Sequence, residues 1–185
     1  MGIPTLIKTQ TASDSAYLDF IDGTSDVVLD STYDEYMFVF TDIGPAADGV
    51  YFQFQVNATD DAGGSFDSSP ITSTFFYSYH AEADSTGFNY HGSFDLANAA
   101  SFQSMTVDAG NGSDESAAGM LHIFTPSSTT YVKHFHGRVI NYLNDNRAWE
   151  SHFGGYINDT TAIDEIRFKM SSDNFDGVIQ LYGIA

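Results

Sequence analysis

The sequence predicts an all-β fold, an antiparallel β-sandwich of jelly-roll-like form occupying residues 1–185 as one domain. Three observations lead there. Short segments rich in β-branched and aromatic residues recur from end to end, the breaks between them are built from Gly, Asp, Asn and Ser, and no window keeps a helical period over three turns.

Taken in order, "TLIKTQT" and "AYLDFI" read as the first two strands. In "DEYMFVFTDI", Tyr36, Phe38 and Phe40 alternate with Met37 and Val39, so both faces are apolar, as in a central strand covered on both sides. In "GVYFQFQVN", Val50, Phe52, Phe54 and Val56 alternate with Tyr51, Gln53 and Gln55, the pattern of a strand with one buried face. Between these two lies "GPAADG", with Pro45 and two glycines, and the pair reads as a hairpin. Further strands are expected at "ITSTFFYSYH", "SFQSMTVDA", "AAGMLHIFT", "TYVKHFHGRVI", "SHFGGYI", "AIDEIRFKM" and "GVIQLYGI". The segment "FDLANAASF" fits one short helical turn, and "DDAGGS" and "DAGNGSDES" read as loops within the domain.

Composition narrows the chemistry. The chain has 185 residues, a formal net charge of −19, no cysteine and 15% aromatic residues, so it holds enough aromatic mass for a core and offers neither thiolate nor disulfide chemistry. Phosphate recognition needs clustered Lys and Arg, and this charge argues against a nucleic-acid partner. The start, "MGIPTLIKTQTASDS", lacks the apolar run of a signal peptide or a membrane span and the Ser or Thr of a myristoylation signal, and the expectation is a soluble protein without a membrane partner. Five of the six basic residues, Lys133, Arg138, Arg147, Arg167 and Lys169, fall in one C-terminal stretch balanced by Asp145, Glu150, Asp159, Asp164 and Glu165. The excess of acid therefore lies elsewhere. It serves solubility, or it meets a basic surface or cations.

The segment "SSTTYVKHFHGRV" concentrates the candidates. In an extended strand His134, His136 and Arg138 share a face. A zinc site would need a third ligand from His80, His91, His122 or His152, whereas cross-strand polar pairing or a subunit contact needs nothing more. The loop "VDAGNGSDES" gathers Asp108, Asn111, Asp114 and Glu115, oxygen donors of the kind calcium takes, without the spacing of an EF-hand. Trp149, inside "NDNRAWESHF", reads either as a surface anchor that stacks on a sugar or as an indole packed at a strand end. No nucleophile elbow is present, and the abundance of Ser, His and Asp does not make a catalytic constellation, so no catalytic residue and no cofactor is expected.

Three segments together, "DSTYDEYMFVFTDIGPAADGVYFQFQV", "TPSSTTYVKHFHGR" and "IDEIRFKMSSDNFDGVIQLYGI", carry a resemblance, which "IKTQTASDSAYLDF" extends to most of the chain. The chain resembles small all-β virion structural proteins of tailed bacteriophages of marine bacteria and cyanobacteria. That resemblance implies a non-enzymatic protein on the particle surface, most simply a capsid decoration or cement protein made in the host cytoplasm. It would be a homo-oligomer, such as a trimer, touching other virion proteins such as the major capsid protein. The strand alternation of His134, His136 and Arg138 and the charge partition that holds Arg138, Arg147 and Arg167 make these five the expected subunit contacts. The other readings are a tail or fibre component recognising a host-surface glycan and a free carbohydrate-binding module. A hydrolase is the most distant rival.

Overall fold

The computed structural model describes residues 2–58, 66 and 69–185, and "DDAGGS" lies outside the described residues. Twelve strands are present among them: β1 (Thr5–Ser15), β2 (Leu18–Ile21), β3 (Glu35–Pro45), β4 (Phe52–Ala58), β5 (Ile71–Ala81), β6 (Thr86–Tyr90), β7 (Gln103–Ser104), β8 (Ala117–Phe124), β9 (Lys133–Tyr142), β10 (Arg147–Ile157), β11 (Ile163–Met170) and β12 (Phe175–Ile184). No helix occurs among the described residues, and so none is long and apolar enough to cross a membrane.

The strands form two antiparallel sheets, one of eight in the order β1-β12-β3-β8-β9-β10-β5-β6 and one of four in the order β2-β11-β4-β7. The chain changes sheet at each of the first three connections, and on its return β11 enters beside β2 while β12 enters between β1 and β3. The quartets β1-β12-β3-β8 and β2-β11-β4-β7 reproduce the winding of an eight-stranded jelly roll. Two antiparallel pairs, β5–β6 and β9–β10, are added to one sheet only, beyond β8. The large sheet therefore extends well past the small one.

Alternation in the sequence decides which side faces the core. Along β9 the buried residues are Lys133, Phe135, Gly137, Val139 and Asn141, and His134, His136, Arg138 and Ile140 point away. Between the sheets, Phe168 of β11 meets Phe38 and Phe40 of β3 at ring distances of 5.1 and 5.3 Å, with Phe20 and Phe52 at 6.0 Å. Edge-to-face and tilted rings satisfy the aromatic quadrupoles, and each fully buried Phe contributes roughly 1.5–3 kcal/mol of transfer free energy. One core cluster includes residues from Ala12 to Leu181.

Several sequence expectations are corrected. β3 and β4 do not form a hairpin. They belong to different sheets, and "GPAADG" carries the chain from one layer to the other. β3 is central in its sheet, but Met37 and Val39 are only half-buried because the small sheet covers one side alone. The segment 101–109 contributes the two-residue β7 and isolated bridges from Ala109 to Val50 and to Leu143, and "FDLANAASF" forms bends and a bridge from Ala99 to Ile71 rather than a helical turn. The edge strand β6 was not foreseen, since "TGFNY" shows no clear burial alternation.

Turn geometry accounts for part of the acidic composition. Asp14, Asp26, Asp42, Asp84, Asp108 and Asp173 all have positive φ, a region that aspartate and asparagine tolerate better than other non-glycine residues. Asp26, Asp84, Asp108 and Asp173 lie in connections between strands, and Asp14 and Asp42 sit at register shifts within β1 and β3.

Candidate docking site

The large sheet has an outer face that the small sheet does not touch. Its cross-strand rows can be read from the register: Met37–His122–His136–Gly154–Thr74, then Val39–Met120–Arg138–His152–Phe76–Tyr90, then Ala118–Ile140–Glu150–Ser78–Phe88. His134 opposite Tyr156, and His80 opposite Ala148, lie at its ends. Five of the six histidines of the chain therefore stand on one face of one sheet. Sequence reading paired His134 with His136 and offered His80, His91, His122 or His152 from other strands, without a signal that all of these but His91 share the face.

Apolar groups are interleaved with these histidines. Phe76, Phe88, Tyr90, Met120 and Ile140 are all exposed, Phe88 to 70% and Ile140 to 50%. The His152 imidazole lies parallel to the Phe76 ring at 5.0 Å, and Phe88 meets Phe76 at 5.8 Å. A shallow groove of about 460 Å³ runs between Phe76, Met120, His136, Arg138 and His152. Gly137 lies under this groove, where a Cβ would come 2.3 Å from the Phe153 ring.

Charge on the face is sparse and internally paired. Arg138 donates from Nε to Glu150 Oε1, and His152 Nε2 lies 3.6 Å from the same oxygen. His122 Nδ1 bonds Glu35 Oε1, and its ring stacks on His136 at 4.8 Å. Burial, and then the charge of His122, hold His136 below the ordinary histidine value. His80 Nε2 lies 3.5 Å from Asp84 Oδ1.

The structure separates the other candidates. Arg147 sits at the start of β10 with its guanidinium over Tyr79 at 5.0 Å and its Nε bonded to Asp145 Oδ1 at 2.7 Å. Arg167 lies on the small sheet, forked onto Asp19 by two bonds of 2.7 Å. The three arginines thus occupy three different places, and only Arg138 joins the two histidines on the outer face of the large sheet. Trp149 is 4% exposed, stacked on Tyr77 at 3.9 Å, with its Nε1 donating to Ser151 Oγ. Its ring face is covered by protein and has no room for a sugar. Asn111, Asp114 and Glu115 line one open pocket with Asp42 and Asp176, but Asp108 does not, and Glu115 Oε2 accepts from the Gly112 N–H at 2.7 Å. No group of three or more His, Asp or Glu side chains placed to hold a metal occurs among the described residues, so neither the calcium candidates nor the histidines are gathered as ligands.

A second charged group sits outside this face. Asp19, Glu165 and Arg167 meet on the outer side of the small sheet, where the guanidinium lies over Tyr17 at 4.2 Å and Phe66 at 4.4 Å. Burial, with Asp19 adding to it, pushes Glu165 up to about 7 against the pull of Arg167. A carboxyl with a raised folded value contributes stability that is complete below its ordinary range near 4.5 and is lost as pH rises through about 7. Glu165→Gln is expected to stabilise the fold by about 1 kcal/mol at pH ~8 and to change nothing at pH ~4, read by urea denaturation.

No protein-family model matches the chain, and no curated protein matches it.

Proposed function

We propose that this chain is a bacteriophage virion structural protein without catalytic activity, a decoration or cement protein on the particle surface. It works by docking the outer face of its large sheet on neighbouring subunits. The observation that supports this reading is the face itself. Two strand pairs widen one sheet of a jelly roll and leave exposed Phe76, Phe88, Met120 and Ile140 on a nearly neutral surface of a chain that otherwise carries a charge of −19. Contiguous exposed apolar surface of this kind marks an interaction site. On a symmetric particle each modest contact is repeated many times, so no single contact has to be strong. The resemblance of "TPSSTTYVKHFHGR" and "IDEIRFKMSSDNFDGVIQLYGI" to small phage structural proteins points the same way.

The test is quantitative mass spectrometry of purified particles. Hundreds of copies per particle are expected; a dozen or fewer would move the protein to the tail, and absence from particles would overturn the virion reading. One observation favours a second reading, a tail component that binds host glycan. With Trp149 buried, Phe88 and Tyr90 on the edge strand β6 are neighbouring exposed rings on which a sugar could stack, and the Tyr90 hydroxyl donates to Asp95 Oδ2 at 2.5 Å. Glycan-array binding that disappears in Phe88→Ala would support it.

A further inference from the structure

We infer that the histidine-bearing face of the large sheet docks a second copy of this chain, face to face across a two-fold axis, at neutral pH and releases it in acid. This rests on reading the face as a docking surface, but not on residence in a virion.

Charge chooses the occupant. Two molecules that each carry −19 repel one another, and the repulsion is least where the surfaces that meet hold the least acid. From Glu35 to Thr41 of β3 and across β8, β9, β10, β5 and β6 the outward positions hold two carboxylates, Glu35 and Glu150, against Arg138 and five histidines, and Asp42 lies beyond them at the irregularity near the end of β3. Both carboxylates are already engaged, by His122 and by Arg138. A contact of this face with any acid-rich surface of a neighbour would oppose neutral imidazoles to unpaired carboxylates. A contact with its own like opposes apolar groups and paired charges to the same. The self-complementary arrangement is a two-fold dimer.

Size fits as well. Seven strands from β12 to β6, spaced ~4.8 Å apart, and about six residues at ~3.4 Å each make a face of about 34 by 20 Å, or about 700 Å². A stable interface uses roughly 800 Å² per partner. Phe76, Phe88, Met120 and Ile140 supply its apolar centre.

Acid would undo this contact. Histidine is the side chain whose charge changes between pH ~5 and ~8, and covering an imidazole with a partner disfavours its charged form. His122 faces Glu35 of β3 and His136 of β9; His136 faces His122 and the Phe124 ring; His152 faces Glu150, Arg138 and Phe76; His134 faces Tyr156; His80 faces Asp84. Only three carboxylates are available to the five rings. As they protonate, the face turns positive and meets an equally positive face across the axis. Association is therefore linked to proton release and weakens as pH falls through the histidine range.

The experiment is light scattering of the purified full chain at about 0.15 M salt, at pH ~7.5 and pH ~5.5, with sedimentation to obtain the dissociation constant. Twice the 20.2 kDa of one chain is expected at the higher pH, with at least a tenfold weaker dissociation constant at the lower. Ile140→Glu, at a half-exposed position where the fold does not depend on the side chain, is expected to be monomeric at both. The triple variant His122→Gln, His136→Gln, His152→Gln is expected to remain dimeric at both. A monomeric wild type at pH ~7.5, a trimer, a dimer indifferent to pH, or a dimer that survives Ile140→Glu would each overturn the inference. A dimer in solution together with absence from particles would leave it standing while removing the virion reading.

Discussion

Replacing Lys133 by methionine is expected to cost about 2–6 kcal/mol of stability, the sum of two part-buried carbonyls deprived of this donor at ~1–3 kcal/mol each. Lys133 opens β9 on its core side and is completely buried. Its Nζ donates to the carbonyl of Asp159 at 3.0 Å and to that of Thr161. Those two residues lie in the segment 158–162, which carries the chain from β10 in the large sheet to β11 in the small one. The ammonium therefore pins a crossing between layers, and methionine keeps the volume of the stem while removing the three donors. Urea denaturation measures the loss, and hydrogen exchange should show the crossing losing protection before the sheets do. A change below about 1 kcal/mol would mean that the carbonyls find water and that the pin is dispensable.

Arg167→Leu is expected to destabilise by about 2–4 kcal/mol at neutral pH, somewhat below the range for fully buried pairs because its partners are partly solvated. The guanidinium neutralises Asp19, which it grips with two parallel bonds, and lies within reach of Glu165 Oε1 at 3.5 Å. Leucine would keep apolar contact with Tyr17 and Phe66 but would leave the Asp19 carboxylate beside Glu165 with no countercharge. Because Glu165 already holds its proton to about 7, the loss should shrink as pH falls toward ~5, where Glu165 is neutral. Arg167→Lys should fall between wild type and leucine, since an ammonium keeps the charge and loses the fork. An equal loss at both pH values would assign the effect to packing instead.

Residues 133–139 show what could be read from the chain and what could not. The period of two placed His134, His136 and Arg138 on one side, and the structure agrees, because a strand leaves side chains no other choice. The same period put Lys133 with Phe135, yet nothing in the pattern said that this side was the core for a lysine, since buried ammonium groups are uncommon and need partners distant in sequence. Trp149 left two readings open for a related reason, and the structure shows the packed one. Its immediate neighbours Ala148 and Glu150 flank it in sequence but point to the opposite face. "GPAADG" has the same turn chemistry whether the chain folds back in one sheet or crosses to another, and the choice was made by β12 taking the position beside β3. The histidine face was out of reach for sequence reasoning, because positions 80, 122, 136 and 152 are brought together only by the register of four strands.

The position of β12 also sets when the protein can fold. β1 and β3 are made early, yet the strand that hydrogen-bonds to both of them is built from Phe175–Ile184, near the end of the chain. Until those ten residues have left the ribosome, two strands of the large sheet wait with open edges. Pairings between residues as distant as Thr5 and Gly183 are slow to find, and sheets of this topology close on a timescale of roughly milliseconds to seconds. The large sheet is therefore completed only when its last strand arrives, and the chain keeps its neighbours at a distance in the meantime by the mutual repulsion of its aspartates.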